Sequence, residues 1–166
     1  MSESNYATVA SQIGTGTAWL NPNDIVGGPG NYASVKLIGL TAPNGQTLIG
    51  TGYGFSVSEG SLVKGIQVGF WAYHTGAAGP HGATLEVSLY NAGSLIGIGK
   101  VQALTTTPTF YTLGSPTDIW GLDPVTVTAI VQSSEFGAAI SAGGGGLSRG
   151  QLAEFYISSL PISITD

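Results

Sequence analysis

The sequence contains no cysteine, which removes disulfide staples and thiolate chemistry at the outset. Charge is nearly as scarce. Of 166 residues, four are Lys or Arg and nine are Asp or Glu, 8% in all, where an average globular domain carries about 25%. The four cations, Lys36, Lys64, Lys100 and Arg149, stand far apart. Neutralising a nucleic-acid backbone takes several clustered cations, so nucleic acid is not an expected partner. No apolar run approaches the roughly 18 residues of a membrane helix, because glycine interrupts each within a few positions. Residues 1–6 lack the basic and apolar regions of a secretory signal. The expected product is soluble and made in the cytoplasm.

What the chain has instead is glycine, 27 residues of it, against about 7% in an average protein. No three-residue period runs through them, which excludes a collagen helix. Each glycine inside a helix costs about 1 kcal/mol relative to alanine, so a helical fold could hardly hold so many. Turns, bulges and close strand contacts can use them. The low charge has its own implication. Charge keeps free monomers soluble and apart, so a polar but nearly uncharged exterior suits a protein covered by neighbours in an assembly. A small extracellular β domain of similar composition is the alternative.

Residues 1–18 are small and polar. Tyr6, Val9 and Ile13 have the spacing of a weak helical turn, ended by Gly14 and Gly16. The expectation is an N-terminal arm (1–18) outside a single domain (19–166), with Tyr6, Val9 and Ile13 free to touch a neighbouring subunit. From Trp19 onward, β-type segments alternate with turn clusters. Strands are expected over 32–40, 47–57, 62–73, 84–90, 95–101, 109–113, 136–140, 152–157 and 160–165. The clearest is 62–73, where Ile66, Val68 and Phe70 share one face in a period-2 pattern. In 84–90, Leu85, Val87 and Leu89 face one way and Glu86, Ser88 and Tyr90 the other. The clusters 42–45, 58–61 and 91–93 read as turns, and 75–82 and the glycine run 143–146 read as loops. Residues 125–131 stay open between a strand and a short helix entered through Asp123 and Pro124. The fold class is therefore all-β, an antiparallel β-sandwich or jelly roll of about eight strands with an extended N-terminal arm.

Motifs for chemistry are few. Gly146-Leu147-Ser148-Arg149-Gly150 matches the G-x-S-x-G elbow, but that device needs a strand, a sharp turn, a helix and a later histidine. No histidine follows Ser148. Gly97-Ile98-Gly99-Lys100 lacks the upstream glycine of a phosphate loop, and Val101 stands where Ser or Thr would bind magnesium. His74 and His81 flank a Gly/Pro loop, yet two histidines fall short of the three or four protein ligands usual for zinc. Glu86, Asp118, Asp123 and Glu135 are too scattered to nominate a glycosidase pair. No catalytic, cofactor or metal residues are nominated, and the chain is expected not to be an enzyme. Trp19, Trp71, Trp120 and seven tyrosines could build a sugar-binding platform, although core packing is the more ordinary use of such rings. Trp71 and Tyr73, just before the Gly/Pro loop, are the best candidates for exposed contact residues.

Several strings, in order, resemble a β-sandwich module of bacteriophage and prophage virion structural proteins, which include capsid decoration (cement) and tail-associated proteins. They are Trp19-Leu20-Asn21-Pro22, Asn31-Tyr32-Ala33, Gly52-Tyr53-Gly54-Phe55-Ser56-Val57 and Ile66-Gln67-Val68. Later come Tyr111-Thr112-Leu113-Gly114, Asp118-Ile119-Trp120-Gly121, Thr128-Ala129-Ile130, Phe136-Gly137 and Glu154-Phe155-Tyr156-Ile157. The resemblance spans roughly residues 19–164, departs at 75–82 and 143–146, and carries no catalytic residues. It implies a short helix at 126–132. It also implies a decoration protein on the capsid surface of a virion, a homotrimer contacting the major capsid protein and stabilising the head by inter-subunit packing. The alternative is a tail-fibre or baseplate module that binds a receptor or carbohydrate through exposed aromatics.

Overall fold

The computed structural model describes residues 1–41, 44–143 and 146–166. Ala42 and Pro43 of the expected turn at 42–45, and Gly144 and Gly145 of the glycine run, lie outside them. Two antiparallel sheets pack face to face. The first contains β1 (Ser2–Tyr6), β3 (Ala33–Ile38), β5 (Gly65–Gly76), β8 (Thr109–Ser115), β10 (Leu152–Ser158) and β11 (Pro161–Thr165). The second runs in the order β2 (Val9–Ile13), β4 (Thr47–Thr51), β9 (Phe136–Gly143), β6 (Thr84–Asn91), β7 (Ser94–Ala103). An α-helix, α1 (Pro124–Val131), lies between β8 and β9 in the chain.

β5 organises the first sheet. β8 pairs along one of its edges, from Ile66↔Ser115 to Ala72↔Thr109. β11 and β10 share the other edge, β11 against Gly65 to Val68 and β10 against Trp71 to Gly76. β1 then pairs outside β11 and β3 outside β10. Ile66, Val68, Phe70 and Ala72 of β5 are fully buried against the second sheet. There they join Leu85, Val87 and Leu89 of β6 and Phe155 and Ile157 of β10 in one core. Trp19 and Trp120 close that core, at 2% and 1% exposure, so two of the three tryptophans serve packing.

Two sequence expectations change here, and a third, left open, is settled. Residues 1–18 are not an arm. Their first strand pairs with β11 over Ser2↔Thr165 to Tyr6↔Pro161, and their second pairs with β4 over Val9↔Thr51 to Ile13↔Thr47. The signal was hidden because edge strands need no apolar alternation. Their inward positions are polar or small: Glu3 and Asn5 bond each other at 2.8 Å, and Gln12 accepts from the Trp19 N–H at 2.7 Å. The strand expected over 47–57 ends at Thr51, where Gly52 takes a φ of 77° and turns the chain into the core. Tyr53 and Phe55 follow as buried rings, with the Tyr53 hydroxyl donating to the Leu160 carbonyl at 2.7 Å. Finally, 124–131 is helical. The Asp123 carboxylate accepts from the N–H groups of Val125 and Thr126 at 3.1 and 3.0 Å, with Pro124 in the first turn, a regular N-cap.

The β6–β7 hairpin turns through Ala92 and Gly93, both at positive φ, 47° and 89°, flanked by the pair Asn91↔Ser94. Both central residues of such a turn must be left-handed, which asparagine adopts at lower cost than alanine. Ala92→Asn should therefore raise stability by up to about 1 kcal/mol, read as a higher denaturant midpoint with an unchanged slope.

Candidate functional site

The outward side of the first sheet gathers aromatic rings that the core does not use. Alternation along β5 sends Phe70 and Ala72 inward and Gln67, Gly69, Trp71, Tyr73 and Thr75 outward. Register then supplies their neighbours. Trp71 stands opposite Phe110 of β8, with ring centroids 5.6 Å apart and planes at 56°. Tyr73 stands opposite Tyr156 of β10, stacked at 4.5 Å and 4°. Tyr32, just before β3, sits perpendicular to both, 5.2 Å from Tyr73 and 6.5 Å from Tyr156. Beyond them the next outward row is Thr75, Glu154 and Lys36.

Burial first, then Tyr32 and Glu154, hold the Tyr73 phenol above its ordinary 10.0. Burial, then the adjacent Glu154 carboxylate, does the same for Tyr156. Both phenols are thus neutral across the physiological range, and each can donate or accept a hydrogen bond.

At the opposite end of β5 the same face opens into a groove of about 280 Å³. Tyr6 of β1 and Phe110 of β8 stand at its two ends, and Pro161 and Gly69 lie between. Ser4, Gln67, Thr112 and Ser163 supply its polar groups. Gly69 is required there: a Cβ would lie 2.7 Å from the Phe110 ring and 3.2 Å from Pro161, so any side chain would push out the ring that bounds the groove. No charged residue lines this groove among the described residues. Phe110 belongs to both the groove and the aromatic cluster, which makes them one surface.

Of the five residues singled out from the sequence, the structure brings Trp71, Tyr73 and Tyr6 to this face. Val9 and Ile13 go elsewhere. They point outward from β2 on the second sheet, 53% and 45% exposed. That sheet has its own groove, about 360 Å³, beside Glu86, Val101 and Ser141, and its lining has no aromatic ring. Tyr32 and Tyr156 entered the sequence reading as candidate contacts only among the seven tyrosines, and Phe110 and Gln67 were not foreseen. Tyr156 had the one local signal available, alternating with the core residues Phe155 and Ile157.

The remaining motifs have local explanations. Ser148 sits in a turn whose N–H donates to the Gln151 side chain at 2.8 Å, and the chain runs on into β10 rather than a helix. His74 is buried on the inward side of β5, whereas His81 is exposed in the 77–83 connection. Among the described residues no three His, Asp or Glu cluster as metal ligands. Lys100, in the phosphate-loop-like string, is a strand residue of β7. Its ammonium lies 2.7 Å from the Asp118 carboxylate and 4.9 Å from the Trp120 ring centroid.

The Lys100 contact, assisted by the Trp120 N–H, holds the Asp118 carboxyl below its ordinary 3.8. A carboxyl lowered by folding stabilises the native state above its unfolded value, and that contribution is lost as pH falls through the folded one. Asp118→Asn should therefore lower stability at neutral pH by no more than about 1 kcal/mol. It should also flatten the acid limb of the stability profile below about pH 4, as read from urea melts across pH.

No protein-family model matches the chain, and no curated protein sequence does. Three solved structures are loosely similar to the chain: a CBM4 protein, the arabinose-bound α-L-arabinofuranosidase MgGH51, and the apo CBM1 of BiXyn10A. For the CBM4 protein the identity is 16% over 79% of this chain and 82% of that one, with a TM-score of 0.48. For the arabinofuranosidase it is 12% over 97% of this chain and 23% of that one, again at 0.48. For the BiXyn10A module it is 8% over 98% and 99%, at 0.43. The likeness is too loose to bear on function, and the β-sandwich fold stands on the sheet pairings described above.

Proposed function

We propose that the chain is a non-catalytic β-sandwich module that binds carbohydrate through the outer face of its first sheet. One observation carries this reading: Trp71, Phe110, Tyr73, Tyr156, Tyr32 and Tyr6 are collected on one side of one sheet, interspersed with hydroxyl and amide groups. A sugar ring has C–H patches that rest against aromatic rings, and hydroxyls that both donate and accept hydrogen bonds. Tryptophan and tyrosine present large apolar surface with little rotamer entropy to lose. Serine, threonine, glutamine and neutral tyrosine match the hydroxyls in either direction.

A second reading, the capsid decoration protein of a virion, draws on the 8% charge content, since an uncharged exterior suits permanent burial, and tyrosine and tryptophan also favour protein interfaces. It also draws on the strings that resemble virion structural proteins, but a free arm reaching a neighbouring subunit or the major capsid protein no longer supports it: both segments of 1–18 complete the chain's own sheets. Electrophoresis through gels containing soluble neutral polysaccharides separates the two. The carbohydrate reading expects retardation by at least one polysaccharide. Unretarded migration throughout, together with co-sedimentation on phage heads, would favour the decoration protein.

A further inference from the structure

We infer that the groove and the aromatic cluster form one continuous site for an uncharged glycan chain several sugars long, with Gln67 as a contact residue at its far end. This rests on the carbohydrate reading above and adds the class and length of the ligand.

Length comes from the strand. The outward positions Gln67, Gly69, Trp71 and Tyr73 follow one another along β5, so the line from groove to tyrosines covers about 20 Å at 3.3 Å per residue. That is far more than one sugar ring, and enough for several laid end to end. Continuity comes from Phe110, which borders the groove and packs on Trp71. Gly69 makes room for the Phe110 ring at that junction.

Charge comes from what lines the path. Lys36 and Glu154 face each other at the tyrosine end, where they cancel, and the groove has no charged lining residue among those described. The chain as a whole carries −5. A polyuronate or sulfated chain laid here would meet a single cation, Lys36, set opposite Glu154, and would be repelled by the net charge. A polyamine sugar would find one acid, already opposite a lysine. Neutral hydroxyls fit the serines, the threonine and the amide.

Gln67 is the groove's one side chain that offers a fixed donor and a fixed acceptor together. Among the described residues its amide makes no hydrogen bond within the protein. It stands between Gly114 of β8 and Ser163 of β11, with Ser163 donating onward to Ser4 at 3.0 Å. Its outward position makes Gln67→Ala a substitution the core will not feel.

The test is calorimetric titration with cello-, xylo- and manno-oligosaccharides from the disaccharide to the hexasaccharide, and with hexagalacturonate. At least one neutral series should gain tenfold or more in affinity from di- to hexasaccharide, with little change between low and high salt. Hexagalacturonate should bind at least tenfold more weakly than the best neutral hexamer. Gln67→Ala should weaken the hexasaccharide about tenfold while leaving the disaccharide unchanged. Affinity already complete at the disaccharide, tighter binding of the galacturonate, or an inert Gln67→Ala would overturn this inference and leave a shorter or charged-sugar site intact. Silence from every sugar would remove the carbohydrate reading itself.

Discussion

Trp120→Ala should cost the fold about 3–5 kcal/mol, a large share of the roughly 5–15 kcal/mol that holds a domain together. The side chain is 1% exposed and sits where the two sheets meet. Its indole N–H donates to the Ile66 carbonyl of β5 at 3.0 Å. Its own carbonyl accepts from Ile98 of β7 at 2.7 Å, and its backbone N–H reaches Asp118 at 2.8 Å. One residue therefore ties the central strand of the first sheet to the edge strand of the second, and shields part of that edge from pairing with other chains. Truncation leaves a cavity, removes the indole bond to the Ile66 carbonyl and leaves the Lys100 ammonium without its ring. Trp120→Phe keeps most of the volume but not the indole bond, so it should fall between the two. Urea melts should rank wild type above Trp120→Phe above Trp120→Ala. An alanine variant within about 1 kcal/mol of wild type would mean this closure is not what joins the sheets.

Trp71→Ala should act in the opposite way, removing glycan binding while leaving the fold nearly untouched. The half-buried indole lies on the outer side of β5, packed against Phe110. Tryptophans central to binding surfaces typically contribute about 2 kcal/mol or more, which is about thirtyfold in affinity. Because Trp19 and Trp120 are buried in the core, a ligand-induced change in tryptophan fluorescence should come from Trp71 alone and vanish in the variant. Unchanged affinity in a folded Trp71→Ala protein would move the binding surface elsewhere.

The sequence shows its interior more readily than its working face. The run from Ile66 to Phe70 declares itself by alternation because every second residue must be apolar to enter the core. Trp71 and Tyr73 could be nominated from the same strand, since they extend the alternate, outward row. Their partners could not. Phe110 meets Trp71, and Tyr156 meets Tyr73, only through the register of strands widely separated in the chain. Tyr6 joins the groove only because β1 closes onto β11 at the other end of the sequence. A residue spacing that suggested a helical turn, Tyr6, Val9 and Ile13, proved to straddle two strands in two different sheets. Short polar edge strands have no burial pattern to read, and the arm inferred from them, with the assembly role it suggested, followed from that silence.

Chemical-shift mapping with a neutral hexasaccharide tests the central claim most directly. Perturbations should concentrate on outward residues of β5, β8 and β10, with the Trp71 indole and the amides of Tyr73, Phe110 and Tyr156 moving most, and with the second sheet quiet. Shifts centred on β2, β4 and β7 instead, or scattered without a focus, would contradict it.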